Sequence, residues 1–321
     1  MDTTQGTPGP EDSGVVDYGQ AGPTVVRMLL GARLRRLRQA AGISRDSAGS
    51  AIRSSGSKIS RLELGRTGFK QRDVSDLLTL YGVGDDAERD VLLGLARQAN
   101  TAGWWHAYSD VLPAWFEPFL GLEQAASIIR GYEVGFIPGL LQTPDYARAV
   151  ARLLDGVSEA QAEQRVSLRM HRQQILHRPN PPHLWVVIDE TALRRPIGGR
   201  AVMLAQVDHL IRMSRLGHVT VQVMPFSAGG HAAAGGQVTM LRFAEQLLPD
   251  VVYAEQLDSA VYLNKPPDTV RYWNILNGVA TGALPPDASV AKLRRLADLI
   301  LESCWETFSS RPGRAVRGGL R

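Results

Sequence analysis

Cysteine is nearly absent from this chain of 321 residues, whose only cysteine is Cys304. A single cysteine excludes an internal disulfide framework and is typical of proteins from a reducing compartment. No apolar run approaches the roughly 20 residues that a membrane-spanning helix needs. The acidic, polar start also lacks the positive segment and apolar stretch of a secretory signal peptide. We therefore expect a cytoplasmic protein, in which Cys304 is packed in an apolar run rather than reactive.

Motifs for metal binding and catalysis are also scarce. The seven histidines lack the two-residue and four-residue spacings of zinc ligands. The loop 229–236 lacks the Lys-Ser/Thr ending of a P-loop, and no Gly-x-Ser-x-Gly nucleophile elbow occurs. The best acid/base candidates are Asp189-Glu190, His231 and Glu255, but adjacent carboxylates on a strand point to opposite faces. We therefore expect no enzyme, no metal and no cofactor.

Positive charge is concentrated in one segment. The whole chain carries a formal net charge of +4, yet residues 27–72 contain twelve Lys and Arg against two acids. A solvated helix face usually mixes both signs, whereas this segment does not. Such a patch attracts a polyanion and makes the affinity fall steeply with salt concentration. The segment is therefore predicted to bind nucleic acid.

A helix-turn-helix pattern lies inside the basic segment, between Ile43 and Gly65. Two short helices are expected there, and the second has an apolar side and a polar side. Ser55 suits the N-cap of this second helix, where free backbone N–H groups can meet a phosphate. Gly65 suits the point at which the helix ends.

The polar side of the second helix is the predicted contact surface. Ile59 and Leu62 are three residues apart and share the buried side. The opposite side presents hydroxyls and positive charge from Ser57, Lys58 and Arg61. A major groove accepts such a side, because phosphates attract Lys and Arg while base edges need donors in fixed positions. The expected partner is double-stranded DNA.

From Leu34 to Gly82 the chain resembles the DNA-binding domain of the Cro/C1-type (XRE) repressor family. The second helix ends in Ile59-Ser60-Arg61-Leu62-Glu63-Leu64-Gly65, which matches that family's pattern. The chain departs from the family at the inter-helix turn, where Arg53 and Ser54 replace the usual Gly and apolar residue, and at Ala48, where Leu is common. Together with the helix pattern, the resemblance implies these DNA-binding residues: Arg45, Ser55, Gly56, Ser57, Lys58, Ser60, Arg61 and Arg66.

The remaining chain carries a second set of blocks, at 132–148, 165–176, 188–199 and 221–226. Together they are similar to the large C-terminal domain of actinobacterial WhiJ-like regulators, often described as antitoxin-like. That resemblance implies a regulator, often encoded beside a small partner protein. It implies no known ligand.

The predicted fold is an all-α helix-turn-helix N-terminal domain followed by an α+β C-terminal domain with a mixed or antiparallel sheet. The predicted divisions are a disordered arm at 1–23, a DNA-binding domain at 24–99, an α+β domain at 104–308 and a disordered basic tail at 309–321. Helices of the second domain are expected at 120–130, 144–154, 158–176, 200–215, 269–280 and 287–303. Ser158 with Gln161 resembles a capping box, and Asp287 is a second good N-cap. Strands are expected at 184–188, 219–224, 238–243, 251–255 and 260–263, and short connections after residue 219 favour antiparallel pairing.

Two stretches admit two interpretations each. The aromatic stretch from Trp104 to Phe119 forms either a packed core between the domains or a groove for a partner or apolar ligand. The block Phe136–Gln142 forms either a structural elbow or one wall of a pocket.

Two functions of the second domain follow from this sequence. In the first, it mediates dimerisation and binds a small cognate partner protein that tunes DNA binding by a transcriptional regulator. In the alternative, it binds a small molecule and shifts the DNA-binding equilibrium. Because two basic N-terminal domains would repel each other, the dimer contacts of the expected homodimer should come from the chain after Gly103.

Overall fold

The computed structural model describes residues 22–244 and 248–302. The described residues exclude most of the predicted arm, Cys304 and all of the predicted tail. The first five helices are α1 Pro23–Ala40, α2 Arg45–Ala51, α3 Gly56–Glu63, α4 Gln71–Leu80 and α5 Asp86–Gln98. The helices that follow are α6 Glu117–Ala125, α7 Pro144–Ala151, α8 Glu159–Gln173, α9 Glu190–Arg194, α10 Arg200–Met213, α11 Pro266–Gly282 and α12 Pro286–Leu301. The strands are β1 Ile128–Glu133, β2 His183–Asp189, β3 Val219–Met224, β4 Val238–Arg242, β5 Val251–Glu255 and β6 Ala260–Leu263.

The predicted fold class is confirmed. Helices α1 to α5 enclose one apolar core, and the chain that follows forms a six-stranded sheet in the order β3-β2-β1-β4-β5-β6. Strands β1, β2 and β3 pair in parallel, because α7 and α8, and then α9 and α10, supply the crossovers that parallel strands need. Strands β4, β5 and β6 continue the sheet in antiparallel pairs. The sheet is therefore mixed, with a core on each face.

One predicted helix is wrong. The segment 120–130 does not stay helical, because α6 ends at Ala125 and β1 begins at Ile128. Residue Ser127 already donates its backbone N–H to the carbonyl of Arg242. The β-branched pair Ile128-Ile129 and the following Gly131 favour an extended chain over a helix. This strand then lies between β2 and β4, so the prediction missed a central strand of the sheet.

Two further expectations need correction, while a third is confirmed. Strands β3 and β4 do not pair, because β2 and β1 lie between them and the segment 225–237 crosses that distance. Asp287 is not an N-cap, since Pro285 takes that position and Pro286, with its fixed φ angle, begins α12. The capping box of Ser158 and Gln161 at the start of α8 is confirmed.

The two ambiguous stretches are packed into the fold. Trp105 is 1% exposed and packs with Leu120 and Leu168, and Phe119 lies 4.3 Å from Tyr253 between ring centroids. In the block Phe136–Gln142, the side-chain amide of Gln142 donates to the carbonyl of Ile137 at 2.8 Å. These contacts support the packing interpretation of the first stretch and the elbow interpretation of the second.

Helix α1 belongs to both cores. Its residues Val26, Leu30 and Leu34 are buried among α2 to α5, whereas Val25 is buried in the core of the larger domain. Thr24 also packs so closely on α6 that a Cβ added at Gly121 would lie 2.5 Å from its hydroxyl oxygen. The two cores therefore share one continuous helix, and the predicted domain limits remain predictions.

Gly31 in α1 is expected to be intolerant of a side chain. A Cβ there would lie 2.9 Å from the carbonyl oxygen of Glu63 and closer still to that of Leu62, so α1 and α3 would have to separate. We predict that Gly31→Ala lowers the free energy of unfolding by about 1–3 kcal/mol, measured by urea titration. The matched control is Gly94→Ala in α5, where the only neighbour is a flexible arginine side chain at 3.8 Å. This control should be stabilising by about 0.5–1 kcal/mol, and equal effects at both positions would contradict the close packing of α1 on α3.

Candidate nucleic-acid interface

The orientation of α3 depends on a buried ion pair with α1. Arg38 donates from Nε and Nη2 to the two carboxylate oxygens of Glu63 at 2.5 and 3.1 Å, and from Nη1 to the carbonyl of Ile43 at 2.7 Å. The side chains of Arg38 and Glu63 are only 9% and 3% exposed. This hydrogen bonding to Glu63 raises the pKa of Arg38. Arg38 thus forms a bidentate pair with Glu63, and its third guanidinium nitrogen also has an acceptor. These hydrogen bonds fix the end of α3 against the end of α1.

The outward side of α3 presents Ser57 and Arg61, which are both exposed. Within residues 22–244 and 248–302, the guanidinium of Arg61 has no hydrogen bond or ion pair, and the same holds for that of the exposed Arg66 beyond the helix. Ser60 is partly buried beside this side. The apolar side is buried as predicted, since Ile59 and Leu62 are 1% and 2% exposed. An unpaired guanidinium on a fixed helix can donate to a base edge or a phosphate.

Lys58 does not project freely, contrary to what its helix position predicts. Its Nζ lies 2.6 Å from the carboxylate Oδ2 of Asp73 in the first turn of α4, and its side chain is 26% exposed. Asp73 is 13% exposed, so the ion pair is only partly open to water. The sequence analysis missed this pairing, because the two residues are 15 positions apart in the chain. A contact between Lys58 and DNA must therefore compete with Asp73.

The N-terminus of α3 is capped and crowded. Ser55 is the N-cap, and its hydroxyl accepts from the backbone N–H of Lys58 at 3.4 Å. A Cβ added at Gly56 would overlap the carboxylate of Asp46, so a longer side chain does not fit beside that rotamer. This carboxylate also occupies the positive end of the helix that a phosphate would approach. Arg45, the first residue of α2, is exposed, with its Nε 3.4 Å from Glu63 Oε2.

The inter-helix turn departs from the usual sequence pattern and has one residue in the left-handed conformation. Arg53 has a φ of 53°, the left-handed conformation that the family's Gly adopts without strain. Gly49 allows α2 to approach the turn, because a Cβ there would lie 2.7 Å from the backbone of Ser55. Arg53 is exposed and has no ion pair in the described part of the chain. It adds a positive charge beside α3 that the sequence analysis treated only as a departure.

In the larger domain the structure brings two of the acid/base candidates together. The hydroxyl of Tyr132 donates to Asp189 Oδ2 at 2.8 Å and lies 3.1 Å from Nε2 of His231. Asp189 also caps α9 by accepting from the N–H of Thr191 at 2.8 Å. Burial disfavours the Asp189 carboxylate, but hydrogen bonds from Thr191 and Tyr132 hold its pKa below the usual value. Asp189 is thus a bound structural acceptor at the start of α9.

Glu190 is likewise engaged by surrounding groups. Its carboxylate lies 2.6 Å from Lys292 Nζ and 2.7 Å from Arg194 Nε, and it accepts from the backbone N–H of Phe226. Burial is outweighed by the hydrogen bond from Lys292, so the pKa of Glu190 is lowered. The residue lines a cavity of about 380 Å³ between α9 and α12, near the carboxyl ends of β2 and β3. Glu255, the remaining acid candidate, lies elsewhere, at the end of β5.

Comparison with known protein families agrees with this division of the chain. A family model described as a helix-turn-helix domain matches residues 29–92, and one described as a domain of unknown function (DUF5753) matches residues 116–295. No curated protein and no solved structure matches the chain. Within residues 22–244 and 248–302, no helix has the length and apolarity that crossing a membrane requires. The N-terminal part is therefore a helix-turn-helix DNA-binding domain, and the chain is a DNA-binding regulator.

Removing one partner of the buried ion pair is expected to be costly. We predict that Arg38→Met lowers the free energy of unfolding by about 3–5 kcal/mol, because Glu63 is then left as a buried charge without its main partner. The double variant Arg38→Met/Glu63→Leu should recover most of that loss, since no charge stays buried. Chemical denaturation of both variants measures this difference. A single variant as stable as the parent would show that the pair does not hold α3.

Proposed function

Because the chain belongs to the DUF5753 family and joins that domain to a helix-turn-helix, we propose that it is a sequence-specific transcriptional regulator that binds double-stranded DNA through α3. The observation that carries the proposal is the exposed guanidinium of Arg61, on a helix whose opposite side is held by the buried pair of Arg38 and Glu63. Because α3 is held in place and the Arg61 guanidinium has no partner in the described part of the chain, this side chain is suited to a specific contact with a base edge. We propose the full contact set as Arg45, Ser55, Gly56, Ser57, Lys58, Ser60, Arg61 and Arg66.

The distribution of free and paired cations supports this surface. Arg53, Arg61 and Arg66 are exposed and without ion pairs in the described part of the chain. Several arginines of the larger domain are instead neutralised by carboxylates, as in the pairs of Arg148 with Glu163 and Arg242 with Asp250. Free positive charge is thus available around α3, where it favours a polyanion.

We further propose that the regulator acts as a homodimer joined through its larger domain. The outer edge of β3 is blocked, because Val223 donates to the hydroxyl of Ser289 and accepts from the N–H of Leu284 at 2.9 Å each. The other edge strand, β6, has no such cover in the described part of the chain, and Val261 on it is 48% exposed. An uncovered edge strand can pair with the same strand of a second copy. Two α3 helices would then contact two half-sites of an inverted repeat.

We make two proposals for how the larger domain regulates DNA binding. As in WhiJ-like, antitoxin-like regulators, it would bind a small cognate partner protein and so adjust DNA binding. The second proposal, a small-molecule sensor, is favoured by the cavity of about 380 Å³ beside Glu190, Arg194 and Lys292. Cavities of this size at the carboxyl ends of parallel strands are a common place for ligands.

Arg61→Ala is expected to weaken binding to duplexes that the full chain selects from a random-sequence library. The loss should be about 1–3 kcal/mol, with relaxed preference at one base pair, because a base-contacting arginine is removed. Fluorescence anisotropy gives the affinity, and Arg271→Ala in α11 is the control, since it removes an equally exposed arginine far along the chain. Superimposable isotherms for Arg61→Ala and the parent, both folded, would exclude α3 as the recognition helix.

Asp73→Asn is expected to strengthen DNA binding. The substitution releases Lys58 for a phosphate, so affinity should rise by about 0.5–1 kcal/mol and the salt dependence should steepen. Lys58→Ala should do the reverse and reduce the salt slope by about one. If Lys58 carries the effect, Asp73→Asn in the Lys58→Ala background should change much less than it does alone. An equal gain in both backgrounds would instead reflect only the removal of negative charge.

Val261→Lys is expected to weaken the dimer at least about tenfold, because a charged side chain on an edge strand opposes pairing with a second strand. Analytical ultracentrifugation of the full chain over a concentration series measures the dissociation constant. Val91→Lys, at a residue of similar exposure in α5, is the matched control and should leave the dimer unchanged. A monomeric parent chain at micromolar concentration, or a dimer lost only in the control, would show that the association surface lies elsewhere.

A further inference from the structure

Three arginines lie along one side of α8 in the larger domain. Arg165, Arg169 and Arg172 are four and three residues apart, so they share one side of the helix. Arg172 is neutralised by Glu123 of α6, to which it donates from Nε at 3.0 Å and from Nη2 at 2.8 Å. The Nε of Arg165 is buried without a hydrogen-bond partner, and Arg169, partly buried, has no ion pair in the described part of the chain.

Two carboxylates lie at one edge of the sheet. Gly131, Thr239 and Tyr253 are paired across β1, β4 and β5, and both β1 and β5 run antiparallel to β4. Glu133 and Glu255 each lie two residues further along these strands, so they reach the same edge of the sheet on the same face. That face is the one that packs the larger core, since Ile129 and Tyr253 belong to it. Glu255 accepts from the Tyr253 hydroxyl at 2.9 Å, whereas the carboxylate of Glu133 has no hydrogen bond or ion pair in the described residues.

These arginines and carboxylates influence each other electrostatically without forming an ion pair. Burial and the neighbouring Glu255 raise the pKa of Glu133 to about 8, against a smaller opposing effect of Arg172. Burial and the repulsion by Arg172 and Arg165 lower the pKa of Arg169 to about 10. Partly buried charges with no direct partner are costly, and a ligand whose charges complement them removes that cost. We call these five residues (Arg165, Arg169, Arg172, Glu133 and Glu255) the charge cluster.

We propose that the charge cluster binds a zwitterionic small molecule of the α-amino-acid class. The ligand's carboxylate is received by the guanidinium groups of Arg165 and Arg169, which match a carboxylate in geometry. Its ammonium group is received by the carboxylates of Glu133 and Glu255. An apolar or aromatic ligand side chain suits the neighbourhood, because Phe116 stacks under Arg172 at 5.0 Å and Phe119 contacts Tyr253.

This site has a direct structural connection to the DNA-binding domain. Arg172 holds Glu123 in α6, and Gly121 in the same helix packs against Thr24 at the start of α1. Helix α1 in turn holds α3 through Arg38 and Glu63. The bound amino acid is expected to change the affinity for DNA by shifting how α6 holds α1. This part of the inference rests on the proposed function. Thermodynamic linkage requires that DNA change the affinity for the amino acid by the same factor.

The binding test is calorimetric titration of the full chain with each common L-α-amino acid. We expect saturable binding of one molecule per chain for at least one of them. The N-acetyl form, which lacks the ammonium group, and the methyl ester, which lacks the carboxylate, should each bind at least about tenfold more weakly. Binding of none of the amino acids, or equal binding of the two blocked forms, overturns the proposal.

Substitutions in the charge cluster test whether the amino acid binds there. Arg169→Gln and Glu133→Gln should each reduce affinity at least about tenfold, while Arg215→Gln, at an exposed arginine outside the cluster, should leave it unchanged. Glu133→Gln replaces a carboxyl group that is mostly protonated at neutral pH, since its pKa is about 8, with an uncharged group of similar shape. The variant should therefore keep the melting temperature of the parent, so its loss of binding cannot reflect unfolding. Parent-like affinity in Glu133→Gln overturns the assignment of the ammonium site.

The pH dependence gives an independent readout. The groups that face Glu133 are Glu255 of β5, Arg172 of α8 and Tyr146 of α7. Because an ammonium group needs the ionised carboxylate and the pKa of Glu133 is about 8, binding should strengthen as the pH rises toward 8 and release a proton. In Glu133→Gln this dependence should be lost. A pH-independent affinity in the parent over this range contradicts the proposal.

Fluorescence anisotropy, measured with and without the bound amino acid, tests whether the site is coupled to DNA binding. A changed DNA affinity that disappears in Arg169→Gln supports the coupling, and an unchanged one overturns it. If the amino acid binds but no duplex is bound under any condition, the proposed function fails and the site stands. If duplexes are bound and no amino acid is, the site fails alone.

Discussion

The buried pair of Arg38 and Glu63 determines what the rest of this molecule can do. Glu63 is the last residue of α3, and Arg38 lies near the end of α1, so their bidentate contact fixes how the recognition helix leaves the protein surface. Both charges are removed from water, which makes the pair a constraint on geometry more than a gain in stability. Because its buried side is held in this way, α3 presents Arg61 in one direction.

The same constraint extends into the larger domain, because α1 is not confined to the helix-turn-helix. Val25 packs in one core and Val26, the next residue, packs in the other. A movement of α6 against Thr24 would therefore be transmitted along a single helix to Glu63. The proposed coupling between the charge cluster and DNA binding uses this helix and needs no flexible linker.

Local chemistry explains what could be predicted from the sequence. The helix α3 was predictable because its N-cap Ser55, its terminal Gly65 and its apolar pair Ile59 and Leu62 are all local signals. Strands β3, β5 and β6 occupy their predicted bounds for the same reason. What was missed depends on distant partners: β1 pairs with residues near 183 and 242, and Lys58 meets Asp73 only once α4 has packed. Glu133 and Glu255 are brought together by strand order, which no local pattern contains.

Directed cleavage of DNA by a tethered iron chelate tests most directly the claim that α3 enters the major groove. The lone Cys304 is replaced by Ser, and a cysteine is introduced by Ser57→Cys to carry the chelate, with Arg271→Cys as the control position. The account predicts cleavage confined to the major groove within each half-site of a selected duplex, and none from the control. Cleavage spread evenly along the duplex, or equal cleavage from both positions, would contradict it.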